Sequence, residues 1–205
     1  MKSLVILISG RGSNMQAIVE AVRTEQWPAR VAAVIGNRPG SEGLTWAAAR
    51  GIATQCLDHR RFDSREAFEE VLAAAVDQHK PDAVALAGFM RVLTGGFVMR
   101  YEGRLLNIHP SLLPSFPGLN THRQALAHGV KVHGCTVHFV TTRLDHGPIV
   151  AQAAVPVLDT DDEDSLASRV LQQEHRIYPE ALRWLLEGRL VVDNGVVSVK
   201  QAVTS

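Results

Sequence analysis

Asn107 and His109 stand two residues apart in the run Leu105-Leu106-Asn107-Ile108-His109-Pro110. If that run is a strand, both side chains leave the same face of the sheet. A carboxamide can donate a hydrogen bond to an oxygen that gains negative charge. An imidazole can donate as well, or carry a proton away from an amine nucleophile. Transfer to or from a carbonyl carbon uses both services. A carboxylate that favours imidazolium would complete the set, and Asp145 is the best candidate, in the turn Leu144-Asp145-His146-Gly147-Pro148. Each residue also has a plain structural use, because a strand-end histidine can be a hydrogen-bonded support, Asn107 can cap a loop and Asp145 can start a turn. Spacing alone does not prove that the three meet.

A second candidate is Ser9-Gly10-Arg11-Gly12-Ser13-Asn14, between an apolar run and a helical pattern. Such a junction aims unpaired backbone N–H groups and the positive end of the helix dipole at an anion. Ser13 or Asn14 could cap the helix, and Arg11 could add charge at the rim. A dinucleotide fingerprint would need a third glycine and an acidic residue closing the second strand. Met15 stands where the third glycine would be and the second strand ends in Gly36-Asn37, so nicotinamide binding is not expected. Glu174 falls within the apolar stripe Leu166, Val170, Ile177, Ala181, Leu185. A carboxylate there must pair with a cation or face a ligand, and the residue alone favours a structural ion pair. His122, His133 and His138 invite a zinc reading, but no pair has helical metal spacing and His133 and His138 point to opposite faces of one strand.

These residues need elements to carry them. Leu4–Ser9 is a continuous apolar run, as in a parallel strand buried on both faces. A helix follows over Met15–Arg23, then a strand over Val31–Ile35, a short helix over Leu44–Arg50 and a strand over Ala53–Leu57. Asp63-Ser64-Arg65-Glu66 has capping-box spacing with Asp63 as N-cap, opening a helix to about His79. Strands follow at Ala83–Ala87, Leu105–Ile108, Gly134–Val140 and Ile149–Val157. The stretch Glu163–Leu186 reads as a long helix interrupted before Pro179. Asp193-Asn194-Gly195 reads as a hairpin turn between Val191-Val192 and Val196-Val197. Alternating strands and helices imply an α/β fold, a Rossmann-like open, mainly parallel twisted sheet with helices on both faces.

The 205 residues suit a single domain spanning 1–205. Lysine plus arginine and aspartate plus glutamate each total 21, so the zero net charge gives no pull toward nucleic acid or acidic membranes. Cys56 and Cys135 lack metal-spaced partners and read as reduced thiols. The first apolar run is too short for a signal peptide and no segment is long enough to span a bilayer, so a cytoplasmic protein is expected.

Asn107-Ile108-His109-Pro110-Ser111-Leu112-Leu113-Pro114, together with Leu144-Asp145-x-Gly147-Pro148-Ile149, resembles the signature of the formyltetrahydrofolate-dependent formyl transferases. Ile8-Ser9-Gly10-x-Gly12-Ser13-Asn14, Ala87-Gly88-Phe89-Met90-Arg91-Val92-Leu93 and Gln173-Glu174-His175 narrow the resemblance to the branch that formylates glycinamide ribonucleotide. It covers nearly the whole chain. The resemblance implies 10-formyltetrahydrofolate as a consumed co-substrate, with no metal and no nicotinamide. Gly12, Ser13 and Asn14 would hold the ribonucleotide phosphate, and Gln173 and Glu174 would face its sugar-glycinamide part. Arg65, Met90, Arg91, Val92, Leu93, Asn107 and the loop Thr141, Thr142, Arg143, Leu144, Asp145 would receive the folate. Asn107, His109 and Asp145 would be catalytic. Residues of about 1–100 would then serve the phosphate, and about 101–205 the chemistry and the folate loop.

His146 departs from the glycine that some members of the family carry. The alternatives are a formyltetrahydrofolate deformylase, a methionyl-tRNA formyltransferase or an idle nucleotide-binding module. The chain's starting directly on its first strand, and its ending without a further domain, weigh against the first two. Both partners implied are small molecules, and a monomer or homodimer is expected.

Overall fold

The computed structural model describes residues 1–201. Its strands are β1 (Lys2–Ile8), β2 (Ala29–Gly36), β3 (Ala53–Cys56), β4 (Ala83–Leu86), β5 (Leu105–His109), β6 (Val132–Phe139), β7 (Ile149–Pro156), β8 (Leu190–Asp193) and β9 (Val196–Val199). The helices are α1 (Ser13–Thr24), α2 (Glu42–Ala48), α3 (Arg65–Asp77), α4 (Gly95–Arg100), α5 (Thr121–Ala127) and α6 (Glu163–Leu186). The first seven strands form one sheet in the order β3-β2-β1-β4-β5-β6-β7. Pairing is parallel from β3 to β5 and antiparallel at β5–β6 and β6–β7. The expected α/β architecture is therefore present, with an antiparallel edge.

Burial on both faces explains the unbroken apolar strands. Leu4, Ile6 and Ile8 of β1 join one core with Met15, Ile18, Val170 and Ile177 of α1 and α6. Val5 and Leu7 point the other way, into a core with Phe68, Leu72 and Val76 of α3 and Phe97 of α4. This alternation is the two-residue period of a strand read on a sequence with no polar half.

Three local expectations change. Ser64, not Asp63, caps α3: its backbone is extended and its hydroxyl accepts the Ala67 N–H at 3.0 Å. Neither Ser13 nor Asn14 caps α1, whose N-cap is Gly12 in the left-handed region at φ 71°, with no side-chain cap. That conformation strains any residue with a Cβ. The helix α6 also runs unbroken through Pro179. Pro179 has no N–H to donate, but its ring is buried in the stripe that packs α6 on α1, β6 and β7, and tertiary packing outweighs the lost bond. The Asn194–Gly195 hairpin between β8 and β9 is as expected, with φ 48° and 80°.

Candidate active site

The last residues of β5 and the first part of the return from β6 build one cluster. Register pairs Asn107 with His138 and His109 with Thr136 across β5–β6. Asn107 and His109 leave the same face of β5, at the carboxyl end where open α/β sheets hold ligands. Beyond β6 the chain turns through Gly147, whose position a side chain could not share: a Cβ there would lie 1.7 Å from the Phe139 carbonyl oxygen. This tight return swings Asp145 back over β5, in the left-handed region at φ 50°.

Asp145 Oδ2 lies 3.6 Å from His109 Nδ1, and both side chains are 7% exposed. The same oxygen accepts the Gly118 N–H at 2.8 Å. His109 Nε2 donates to the Phe116 carbonyl at 3.0 Å, so a proton added to the ring goes to the nitrogen that faces the carboxylate. The loop between β5 and α5 that supplies Phe116 and Gly118 contains a cis Leu113–Pro114 bond. Asn107, His109 and Asp145, separated by up to 38 positions, thus stand together.

In the sequence His138 stands out only as a metal candidate. Its Nδ1 lies 2.9 Å from the Phe139 carbonyl, which can only accept, so Nδ1 carries the proton. Nε2 then accepts from Asn107 Nδ2 at 3.3 Å. Burial lowers the His138 pKa and keeps the ring neutral. One N–H of the Asn107 amide is therefore fixed on His138, and the other is left for a ligand. No periodic signal could have found this, because it depends on the register of an antiparallel pair. His122 and His133 pack edge to face at 5.3 Å, and among the described residues no group of three or more His, Cys, Asp or Glu side chains is placed to hold a metal ion.

The glycine-rich loop lines a cleft of about 230 Å³ with Arg11, Asn14, Arg38 and Gly88. Arg38 is a further cation at this cleft, and nothing in the sequence motifs marks it. The buried Asn14 donates from Nδ2 to Glu174 Oε2 at 2.6 Å, while its own Oδ1 is buried without a partner. Among the described residues no cation pairs with Glu174, which corrects the ion-pair expectation; the amide of Asn14 is the partner instead. Burial raises the Glu174 pKa, and the Asn14 hydrogen bond only partly opposes this. Gln173, half-buried, accepts from Arg176 Nε at 3.1 Å.

The remaining candidates lie on two loops and one helix end. Met90, Val92 and Leu144 are 58%, 50% and 55% exposed. Leu93 packs into the α3–α4 core. The Arg91 guanidinium lies 5.0 Å from the Phe68 ring, with Nε buried and unpartnered. Thr141 Oγ1 donates to the Arg143 carbonyl at 3.1 Å; Thr142 and Arg143 are exposed, as is His146. Arg65 is exposed at the first position of α3. The Gly88–Leu93 loop is joined to the anion cleft by two bonds, from the Met90 N–H to Ser9 Oγ at 2.8 Å and from the Ser9 N–H to the Gly88 carbonyl at 3.1 Å.

A family model described as formyl transferase matches residues 1–182. The phosphoribosylglycinamide formyltransferase of Escherichia coli strain K12 is 53% identical over 188 residues, covering 92% of this chain and 89% of that protein. The trifunctional purine biosynthetic protein adenosine-3 of Drosophila melanogaster is 46% identical over 199 residues, 96% of this chain but 15% of its own length. The crystal structure of glycinamide ribonucleotide transformylase 1 from Symbiobacterium toebii superposes with a TM-score of 0.95 at 49% identity, over 98% of this chain and 95% of that one. A family model over most of the chain and relatives this similar carry one conclusion: the chain belongs to the formyl transferase family.

Proposed function

We propose that the chain transfers the formyl group of 10-formyltetrahydrofolate to the amine of glycinamide ribonucleotide, a step of purine biosynthesis. The observation that carries the chemistry is the meeting of Asn107, His109 and Asp145 at the end of β5, two strands across the sheet from β1, which leads into the anion cleft at the start of α1. The ribonucleotide phosphate sits on the N–H groups of Gly12, Ser13 and Asn14, favoured by the helix dipole. Gln173 and Glu174 face the sugar-glycinamide portion. Met90, Arg91, Val92, Leu93, Arg65 and residues 141–145 receive the folate, whose apolar faces match the exposed Met90, Val92 and Leu144. The chain works as one domain, with the phosphate held within its first hundred residues and the catalytic residues in the rest, and it acts in the cytoplasm.

The amine nitrogen attacks the formyl carbon and the carbonyl oxygen takes up the negative charge. The free N–H of Asn107 donates to that oxygen, and protonated His109 supports it electrostatically. Asp145 stabilises the imidazolium and holds a water that takes the proton from the attacking amine and returns it to the folate nitrogen. The bond from the formyl carbon to that nitrogen then breaks, leaving tetrahydrofolate and the formylated ribonucleotide. Mass spectrometry of the ribonucleotide after incubation with formylfolate tests the reading. A formylated product is expected, and unmodified ribonucleotide beside free formate refutes it in favour of hydrolysis.

A further inference from the structure

The segment Gly88–Leu93 belongs to no helix or strand, so its placement has to come from contacts at its two ends. At the first end, Gly88 O accepts the Ser9 N–H at 3.1 Å and the Met90 N–H donates to Ser9 Oγ at 2.8 Å. At the second stands Thr94, the N-cap of α4, whose hydroxyl oxygen accepts the Phe97 N–H at 3.5 Å. In a capping box, the residue three places into the helix reaches back to the N–H of the cap. Here that residue is Phe97, which has no acceptor to offer.

Glu69 of α3 takes the role from another helix. Only 4% exposed, it accepts the Thr94 N–H on its two oxygens at 3.0 and 3.1 Å, and its Oε2 also accepts the Thr94 hydroxyl. Its neighbour Phe68 lies against the Arg91 guanidinium. Two consecutive residues of α3 therefore hold the middle and the far end of the segment. A carboxylate is costly to bury, and this one is spent on a single threonine.

We propose that Glu69 is a positioning residue for the formyl donor. By fixing Thr94 it sets where Met90–Leu93 stand, without touching either substrate. The proposal rests on the reading that these four residues receive the folate. Without the clamp, the segment keeps its bonds to Ser9 and its packing on Phe68 but loses its hydrogen-bonded far end, and it spends less time in the conformation that accepts folate. Apparent affinity falls by that fraction. Gly12–Asn14 have no bond to Glu69, and Gly88 and Met90, which also line the anion cleft, stay bonded to Ser9, so the ribonucleotide site escapes most of the penalty.

Initial-rate kinetics on purified variants test this by a split between the two KM values. Glu69→Leu should raise KM for formylfolate on the order of tenfold, the scale of a lost charge-assisted hydrogen bond, with KM for glycinamide ribonucleotide within about twofold of the original. Thr94→Val should raise the same KM several-fold, and Thr94→Ser, which keeps the hydroxyl, should restore it. If Glu69→Leu does not fold, the threonine pair carries the test. An unchanged formylfolate KM, or a parallel rise in both KM values, overturns the proposal. Val92→Asp separates the two ways of failing. If it too leaves formylfolate KM unchanged, the folate reading of this loop falls and the proposal with it. If it raises that KM while the folded Glu69 and Thr94 variants do not, only the clamp is wrong.

Discussion

Asp145→Asn removes one charge and almost nothing else. Asparagine is among the residues that best tolerate the left-handed backbone found at φ 50°, and its Oδ1 can still accept the Gly118 N–H. What disappears is the attraction between the carboxylate and a positive His109 ring 3.6 Å away, in a pair whose side chains are 7% exposed. At an effective dielectric of about 20, Coulomb's law gives ~4.6 kcal/mol for unit charges at 3.6 Å. Felt in full in the transition state, that attraction is worth about three orders of magnitude in rate. Turnover at saturating substrates should therefore fall about a thousandfold, with the thermal midpoint little changed. A steady-state assay of folate product, beside a thermal melt of the same preparation, reads both. A loss of less than about tenfold in a well-folded variant would refute the electrostatic role and leave Asp145 as an anchor for Gly118.

Three further outcomes follow from the same geometry. Asn107→Ala should lower turnover by about two to three orders of magnitude, the usual cost of an oxyanion donor; a loss of only a few-fold removes it from that role. Asn14→Ala leaves the Glu174 carboxylate buried without its one recorded partner, so stability should drop by about 1–3 kcal/mol in urea titrations and KM should rise for the ribonucleotide. A rise confined to the folate KM contradicts the assignment of the cleft. His133 is 1% exposed, and burial lowers its pKa from 6.5 to about 4. The folded chain therefore refuses a proton that the unfolded chain accepts, and stability is lost as pH falls from 6.5 toward 4. The loss between pH 7 and pH 5 should be about 2 kcal/mol from this residue, and His133→Gln should flatten the profile by that amount; an unchanged profile places the acid sensitivity elsewhere.

The strands were readable because double-sided burial leaves an unbroken apolar run, as in Leu4–Ile8. Helix ends were less so. Asp63 and Ser64 are both good caps, and only the backbone at Ser64 decides between them. Pro179 carries a local signal to break, which the buried stripe around it overrides. The candidate residues were legible as types and motifs, but their meeting was not. Asp145 reaches His109 only because Gly147 lets the return pass over β6, and His138 reaches Asn107 only through the β5–β6 register. Glu174 looked like half of an ion pair because its helical spacing marks burial but cannot reveal that the partner is an amide on α1.

The measurement that bears most directly on the central claim is folate product formation by the purified chain, followed by absorbance with and without glycinamide ribonucleotide. Product that forms only when the ribonucleotide is present is the predicted result. Product and formate released at the same rate in its absence would contradict formyl transfer to that amine and make the chain a hydrolase of the same co-substrate.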